Sequence, residues 1–526
     1  MNTVIIGSGP NGLAAAFYLA KAGIKPLVLE RSARVGGGAI TREIEPGFHC
    51  PTLSHEVLLH KRIVREMKLR KHGLELLTGE VDTCAVSPDK PAVTLYTDPA
   101  RCAQGLRTLN VKDARAWQAH RTAIVRAAAV LAPVLGAPPP DIDAPGARDL
   151  LRLLNTGRRF RGLGRHEAHR LLRWLPMPVA DMLDEWFEDD LLKAAVAGAG
   201  VSGTMLGPKS AGSALVLLLR EAHRRLAGGH ALRVRGGPGA LTGAMAAAAR
   251  AAGAEIREQT TVERILVRDG RVAGVIAAGQ EIPATTVVSA VDPRTTLLRL
   301  IDPQDVAPDV LVKFRNYRAS GTVAKVNLAL SELPKFTGVV GSQTLLSGHV
   351  HVGPGIDYLE RAFDHAKYGE LSNEPWLDMT IPSLLDQSLA PSGAHVASIY
   401  VHCAPYRLKL GEWSSWRERV LHRTLTILER HAPGISPTVV ASEVISPADL
   451  ELDYGLAGGH IFHGELAPDQ LYAMRPVLGY GRYAGPVRGL YLCGGGTHPG
   501  GFLTGASGRL GAAAILRDNH RPAAGV

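Results

Sequence analysis

Cysteine is scarce in this chain. Five residues, Cys50, Cys84, Cys102, Cys403 and Cys493, are scattered over 526 positions without CxxC spacing. A disulfide framework and a redox-active dithiol are therefore excluded, and a reducing, cytoplasmic setting is the expectation. Aromatic residues make up only 5%, and no aromatic-basic interleaving or nucleic-acid module accompanies the net charge of +10, so no nucleic-acid partner is expected. No uncharged apolar run is long enough to span a bilayer. A secretory signal or transit peptide is not expected ahead of Val4. Acidic residues run short in one stretch: among Arg148, Arg152, Arg158, Arg159, Arg161, Arg165, Arg170 and Arg173, only Asp149 and Glu167 oppose the charge. Within it Ala168, Leu171, Leu172 and Leu175 follow helical spacing while His169, Arg170 and Arg173 lie off that stripe. Two readings stand: a basic helix lying on an anionic membrane surface, or, favoured, a helix whose leucines pack on the protein and whose arginines are solvated.

What the chain has in quantity is glycine, placed at the points where strands meet helices. Val4-Ile5-Ile6 runs into Gly7-Ser8-Gly9-Pro10-Asn11-Gly12, then a helical stretch from Leu13 to Ala22, then Leu27-Val28-Leu29-Glu30. Strand, glycine turn, helix and a second strand ending in an acid make the βαβ unit that holds an ADP moiety. Gly7 permits the tight turn, Gly9 lets backbone approach a pyrophosphate, and Gly12 lets helix and strand close up. The helix amino end faces the phosphates, and Glu30, with Arg31 beside it, is placed to meet the ribose hydroxyls. Gly36-Gly37-Gly38 follows closely, and such a run brings backbone amides near a phosphate or ribityl chain without Cβ interference, which favours flavin over nicotinamide.

A second glycine-rich turn, Gly236-Gly237-Pro238-Gly239, leads into a helix over Leu241 to Ala252. A second dinucleotide site there is excluded by its glycine spacing and by Glu255, which opens its strand instead of closing it. Val262 to Val267 and Val272 to Ala277, joined at Asp269-Gly270, read as a hairpin, and Thr286 to Ala290 as a buried strand. Strands are also expected over Val323 to Leu330, Trp376 to Ile381 and His395 to His402, a helix over Trp416 to His431, and a loop over Pro138 to Pro145. The far end repeats the opening pattern: Leu490 to Cys493 runs into Gly494-Gly495-Gly496-Thr497-His498-Pro499-Gly500-Gly501, and Gly505-Ala506 opens a last helix.

The order Gly7 to Gly12, Glu30, Gly36-Gly37 and Thr41 resembles the bipartite FAD signature of the flavin amine oxidase and phytoene desaturase superfamily. Gly38 stands where that superfamily commonly has arginine, a departure that weighs against the amine oxidase branch. Gly458-Gly459-His460-Ile461-Phe462-His463-Gly464-Glu465, Asp469-Gln470-Leu471, Arg475-Pro476 and the Gly496 to Gly501 run resemble the phytoene-dehydrogenase-related FAD-dependent oxidoreductases, closest to the branch named after the pyridine nucleotide-disulfide oxidoreductase domain-containing protein 2. The resemblance covers nearly the whole chain. It implies an α/β fold: a Rossmann-like FAD-binding domain (1–75, 228–295 and 484–526) interleaved with a mixed-sheet plus helical substrate domain (76–227 and 296–483). Its implied cofactor is FAD, held by Gly7, Gly9, Pro10, Asn11, Gly12, Glu30, Arg31, Gly36, Gly37, Gly38, Val262, Gly495, Gly496, Thr497, Gly505 and Ala506.

The implied activity is dehydrogenation of a hydrophobic, isoprenoid or carotenoid-like small molecule by hydride transfer to flavin N5, with oxygen, a quinone or an electron-transfer protein as acceptor. The alternatives are a flavin amine oxidase, a redox-neutral isomerase or saturase, and a non-catalytic FAD-binding regulatory protein. Proton-transfer candidates are His498, His460, His463 and Glu465. His498 is expected near the flavin. His460 and His463 are expected on opposite faces of a strand, with His463 and Glu465 sharing a face. One shared pair is too few ligands for a metal, and no metal is expected.

Overall fold

Val4, Ile5 and Ile6 are apolar on both sides of the chain, the pattern of a strand covered on both faces. In the computed structural model, which describes residues 2–53, 56–229 and 232–519, they lie in β1 (Thr3–Ile6), followed by α1 (Pro10–Lys21) and β2 (Pro26–Leu29). These two strands are the middle of a five-stranded, wholly parallel sheet. Its order is Leu490–Leu492, Thr286–Ser289, β1, β2 and Glu255–Arg257. Strands from the start, middle and end of the chain thus lie in adjacent register.

One face of this sheet carries three alanine-rich helices, α1, Gly237–Ala251 and Ala506–Asn519, packed through Leu13, Ala16, Leu241, Met245, Ala512 and Ile515. Small side chains let the helix axes come close. At the crossing of α1 with the last helix, a Cβ on Gly508 would overlap the Asn11 carbonyl oxygen, so the two chain ends are locked together by the lack of a side chain there. The other face is covered by an antiparallel three-stranded sheet, Val262–Arg268, Arg271–Ala277 and Gln280–Pro283, whose Val262, Ile265 and Val275 pack on Val4, Ile6 and Val287. The Asp269-Gly270 turn has both residues at positive φ (51° and 69°), as a two-residue hairpin with the strands' twist requires.

A seven-stranded mixed sheet makes the second body of structure, in the order Val439–Ile445, Val323–Leu330, His395–His402, Leu377–Thr380, His349–Val352, Val81–Val86 and Val93–Tyr96. All its pairs are antiparallel except Val81–Val86 with His349–Val352. Its two faces differ. Val326, Ile399, Met379 and Val350 join the apolar core that also holds Val420, Ile427 and Leu428 of the helix Trp413–His431. The alternate positions, Lys325, Asn327, Ser398, Tyr400, His402, Asp378, His349 and His351, are polar and all buried. Because side chains alternate along each strand, the register places this polar set on one face.

The sequence-based strands, hairpin, long helices and the Pro138 to Pro145 loop are present. Two expectations are corrected. Residues 458–465 form no strand: a short 3-10 turn, Ala457–Gly459, leads into bends, and His463 adopts φ 55°. The glycine pair and the turn break the two-residue alternation on which the face assignment of His460, His463 and Glu465 rested. In the arginine-rich region, the helix Arg165–Trp174 buries Ala168, Leu171 and Trp174, while Leu172 is exposed. Trp174, one turn beyond Leu171, replaces Leu172 on the buried stripe. The preceding helix, Ala147–Gly162, leaves Leu150, Leu151, Leu153 and Leu154 exposed among its arginines. Among the described residues no helix is long and apolar enough to cross a membrane.

Candidate functional site

The carboxyl ends of the parallel strands open into a cleft of about 460 Å³. Gly7, Gly9, Pro10, Asn11, Glu30, Arg31, Gly37, Gly38, Val262 and Gly495 line it. Gly9 caps α1 without any side-chain hydrogen bond, and Pro10 takes the first helical position, so the first-turn amides and the positive end of the helix dipole face the cleft. A Cβ at Gly9 would meet nothing within 4 Å, whereas one at Gly12 would overlap the Gly7 carbonyl oxygen. Gly9 therefore keeps space open for a ligand, and Gly12 lets the helix close on its own turn. The Glu30 carboxylate is fixed by Ser8 N (2.8 Å) and Ser8 Oγ (2.7 Å) on one oxygen and by Ser32 N (2.9 Å) on the other, which ties the acid to the glycine turn. The cleft, the bare helix end and the aimed carboxylate suit an ADP-ribityl chain. Gly12, Gly36, Gly496, Thr497 and Ala506 do not line it. Gly36 donates its amide to the Ser8 carbonyl (3.1 Å), and Thr497 donates its hydroxyl to the Gly494 carbonyl (2.9 Å), so they shape the loops behind the cleft.

The cleft continues into a chamber of about 140 Å³ with which it shares Pro10, Asn11, Gly38, Leu456, His463 and Gly495. Thr504 and Gly505, just before the last helix, also line the chamber. Two helix amino ends thus face the connected cavities, one at their junction and one in the chamber, a setting that would favour the negative charge a flavin gains on reduction. His463 is the proton-transfer candidate that lies at this junction. Burial pushes its imidazole down to about 4, with Arg475 and His460 adding to the effect, so it is neutral at neutral pH. Its Nδ1 has no hydrogen-bond partner among the described residues.

The other three candidates are placed elsewhere. His460 is fully buried, its Nδ1 accepts from Phe462 N (3.1 Å), and its Nε2 lies 3.5 Å from Glu465 Oε2. His460, not His463, is therefore the partner of Glu465. That carboxylate also accepts from Met205 N (3.0 Å), tying this loop to the bend that follows the helix Asp190–Val201. His498 is corrected outright. Its Nε2 faces the carbonyls of Ala137 (3.0 Å) and Val134 (3.3 Å) at the end of the helix Val111–Leu135, and it lines neither cavity. It braces the glycine loop. Among the described residues no group of three or more His, Cys, Asp or Glu side chains is arranged to hold a metal.

Sequence reasoning missed the chamber's polar wall and its clamp. Glu56, Arg220, His349, Asp378 and Tyr400 line the chamber. Arg220 binds Glu56 through Nε (3.1 Å) and Nη2 (3.0 Å), and His349 Nδ1 lies 2.8 Å from Asp378 Oδ1. Burial pushes the Glu56 carboxyl up, but the guanidiniums of Arg220 and Arg224 outweigh it and hold the group well below the usual carboxylate range. Burial also opposes charge on His349, yet Asp378 and Glu56 raise its pKa above that of a free imidazole. The signal was the alternation in His349-Val350-His351-Val352. The clamp is Arg475, fully buried, which donates to the carbonyls of Glu465 (2.8 Å), Phe462 (3.0 Å) and Gly495 (3.1 Å), joining the His460–Glu465 loop to the C-terminal glycine cluster.

The buried histidines set a pH dependence. Burial pushes His60, His120 and His402 down to about 3 and His351, His463 and His498 to about 4. In the unfolded chain they titrate near about 6.5. Between those values the unfolded state binds more protons, so stability falls as pH falls through the window from about 6.5 to 4. Thermal unfolding midpoints are expected to drop steadily across that window by an amount equivalent to several kcal/mol; a flat profile would contradict the buried, neutral assignment.

A family model described as FAD dependent oxidoreductase matches residues 2–368. The chain is 36% identical over 544 residues to the pyridine nucleotide-disulfide oxidoreductase domain-containing protein 2 of Rattus norvegicus, covering 98% of this chain and 93% of that one. It is 26% identical over 516 residues to the phytoene desaturase (neurosporene-forming) of Rhodobacter capsulatus, covering 94% and 90%. Among solved structures, an oxidoreductase from Methanosarcina mazei matches with a TM-score of 0.60 at 16% identity, over 98% of this chain and all of that one. At that identity the likeness bears on fold alone.

Proposed function

Because the chain belongs to the FAD-dependent oxidoreductase family, we propose that it dehydrogenates a largely apolar, isoprenoid-like small molecule held in the chamber beyond the cofactor cleft. The observation that carries this reading is the continuity of the two cavities through His463 and Gly495, with Leu53, Leu58, Leu456, Ile461, Phe462 and Phe502 forming the chamber's apolar wall. FAD, when bound, supplies the two-electron acceptor for a hydride. The chain's own part is placement. The apolar wall orients a hydrocarbon segment and excludes water. The neutral His463 imidazole, which lines both cavities, is the chain's candidate for moving a proton there. Similarity to a phytoene desaturase over most of both chains supports the substrate class.

The residues 1–75, 228–295 and 484–526 are read as the cofactor-binding part, and 76–227 with 296–483 as the substrate part. The segregation of the parallel and mixed sheets supports that division. An amine oxidase reading is weaker, because the chamber's polar end already pairs both of its carboxylates with cations, leaving no free acid for an ammonium.

The experiment is anaerobic mixing of the holoprotein with phytoene and with shorter polyenes, followed by product analysis. The reading expects flavin reduction and a product two hydrogens lighter. A product isomeric with the substrate would move the assignment to a redox-neutral isomerase. Flavin that stays oxidised with every polyene would leave a cofactor-bearing protein without this activity.

A further inference from the structure

The helix Ala147–Gly162 does not pack as a helix of a globular protein ordinarily does. Of its 16 residues only Asp149 is buried, although most helical stability in a folded protein comes from burying an apolar face. Leu150 (54% exposed), Leu151 (59%) and Leu154 (51%) stand in solvent, and Ile142 before the helix and Leu172 after it are exposed as well. Single exposed leucines are ordinary; three on adjoining positions of one helix mark a surface with a partner. The helix Arg165–Trp174 that follows turns Leu171 and Trp174 inward, so the unpacked part of the arginine-rich region is the preceding helix.

The helical repeat sorts these side chains. At about 100° of turn per residue, Leu150, Leu154 and Arg161 fall along one line of the helix, with Leu151 and Arg158 beside it. One face therefore carries leucines in its first half and arginines in its second. The opposite side carries Asp149, Arg152, Leu153 and Arg159, which line a cavity of about 180 Å³ together with Pro133, Val134 and other residues of the 133–140 segment. The leucine face thus points away from the body of the protein. Charge is lopsided too. From residue 155 to residue 166 the chain has Arg158, Arg159, Arg161 and Arg165 and no acid. Three acids lie at or just before the start of the helix: Asp149 meets Arg152 (3.7 Å) and Arg482 (3.2 Å), Asp141 meets Arg482 (3.0 Å), and Asp143 is exposed.

We propose that this face lies on an anionic lipid bilayer, with Leu150, Leu151 and Leu154 entering the acyl boundary and Arg158 and Arg161 meeting lipid phosphates. The leucines call for an apolar medium and the arginines beside them for an anionic one, and a negatively charged lipid surface supplies both within the reach of a guanidinium stem. A neutral bilayer would leave the arginines unanswered. A second copy of the chain fits poorly: the face of one helix, about 24 Å long, falls short of the roughly 800 Å² per partner that a stable protein interface buries, and arginines would meet arginines across it. Among the described residues no helix is long and apolar enough to cross a membrane, so the contact is one of surface. Docking of this kind holds whatever molecule the chamber oxidises.

The test is flotation of the purified full chain with vesicles of phosphatidylcholine alone and of phosphatidylcholine carrying about 30 mol% phosphatidylglycerol. Binding to the anionic vesicles is expected to be about tenfold or more tighter than to the neutral ones, and to weaken as salt screens the arginines. Leu150→Gln with Leu154→Gln, and separately Arg158→Gln with Arg161→Gln, are each expected to lower it at least about tenfold. Leu410→Gln, at an exposed leucine outside this region, should leave it unchanged. All five side chains are exposed, so FAD content and unfolding midpoint should stay at wild-type values. Should a variant fail to fold, the lipid preference and salt dependence of the wild type decide. No binding to anionic vesicles, equal binding to both kinds, or binding that both double variants retain would overturn the proposal. Self-association that the leucine pair abolishes, without vesicle binding, would overturn it in favour of a second copy.

Discussion

Arg475→Ala is expected to cost about 3 kcal/mol or more of stability and to yield protein with little bound FAD. The side chain has no exposure and serves as the internal pin of the site: its Nη1 donates to the Glu465 carbonyl and its Nη2 to those of Phe462 and Gly495. Truncation leaves these carbonyls, and those of Gly464 (3.3 Å) and Gln470 (3.5 Å), without the guanidinium, and hydrogen bonds from a charged group carry about 1.5–3 kcal/mol each. The loops so released present His463 and Gly495 to the cofactor cleft, which is why stability and cofactor content should fall together. Arg475→Lys should rescue little, since an ammonium on a single stem cannot span carbonyls from residues 462, 465 and 495. Flavin content from the visible spectrum and the unfolding midpoint check this. A variant that keeps both at wild-type values would show that the loop holds itself without the clamp.

Gly12→Val and Gly9→Val are expected to fail in different ways. At Gly12 the new Cβ overlaps the Gly7 carbonyl oxygen, so α1 cannot close on the strand before it; the protein should be destabilised by several kcal/mol, or insoluble, and colourless. At Gly9 the backbone is extended (φ −62°, ψ 171°), a conformation open to any residue, and the side chain would enter empty space in the cleft. Gly9→Val should therefore fold with an unfolding midpoint near that of apoprotein yet bind FAD at least about 100-fold more weakly, because a side chain occupies the approach to the helix amino end. Fluorescence titration of apoprotein with FAD, beside thermal unfolding, separates the two. Tight FAD binding by Gly9→Val would remove the turn from the cofactor site.

The cofactor half was legible because its chemistry is local. Gly7, Gly9, Gly12 and Glu30 lie within one βαβ unit, and their spacing fixes both the turn and the acid that Ser8 now holds. The substrate half was not, for a physical reason. The strands Val323–Leu330 and His395–His402 were readable as strands, but alternation states only that Lys325 shares a face with Asn327 and Ser398 with Tyr400; the register that joins the two pairs, and what that face meets, come from the fold. The cavity is defined by strands paired across long loops and by a helix bearing Arg220. The His460 to Glu465 segment was misread because alternation was assumed where glycines and a positive φ at His463 bend the chain, so that His460 comes to face Glu465. His498 looked exposed to the cofactor because it follows the glycine cluster in sequence, yet the loop turns its ring toward Ala137 and Val134.

The cofactor cleft is tested most directly by the visible absorption spectrum and FAD stoichiometry of the purified full chain, before and after incubation with added FAD. The expected result is an oxidised flavin spectrum at about one FAD per chain. A colourless protein that takes up no FAD on reconstitution would contradict it.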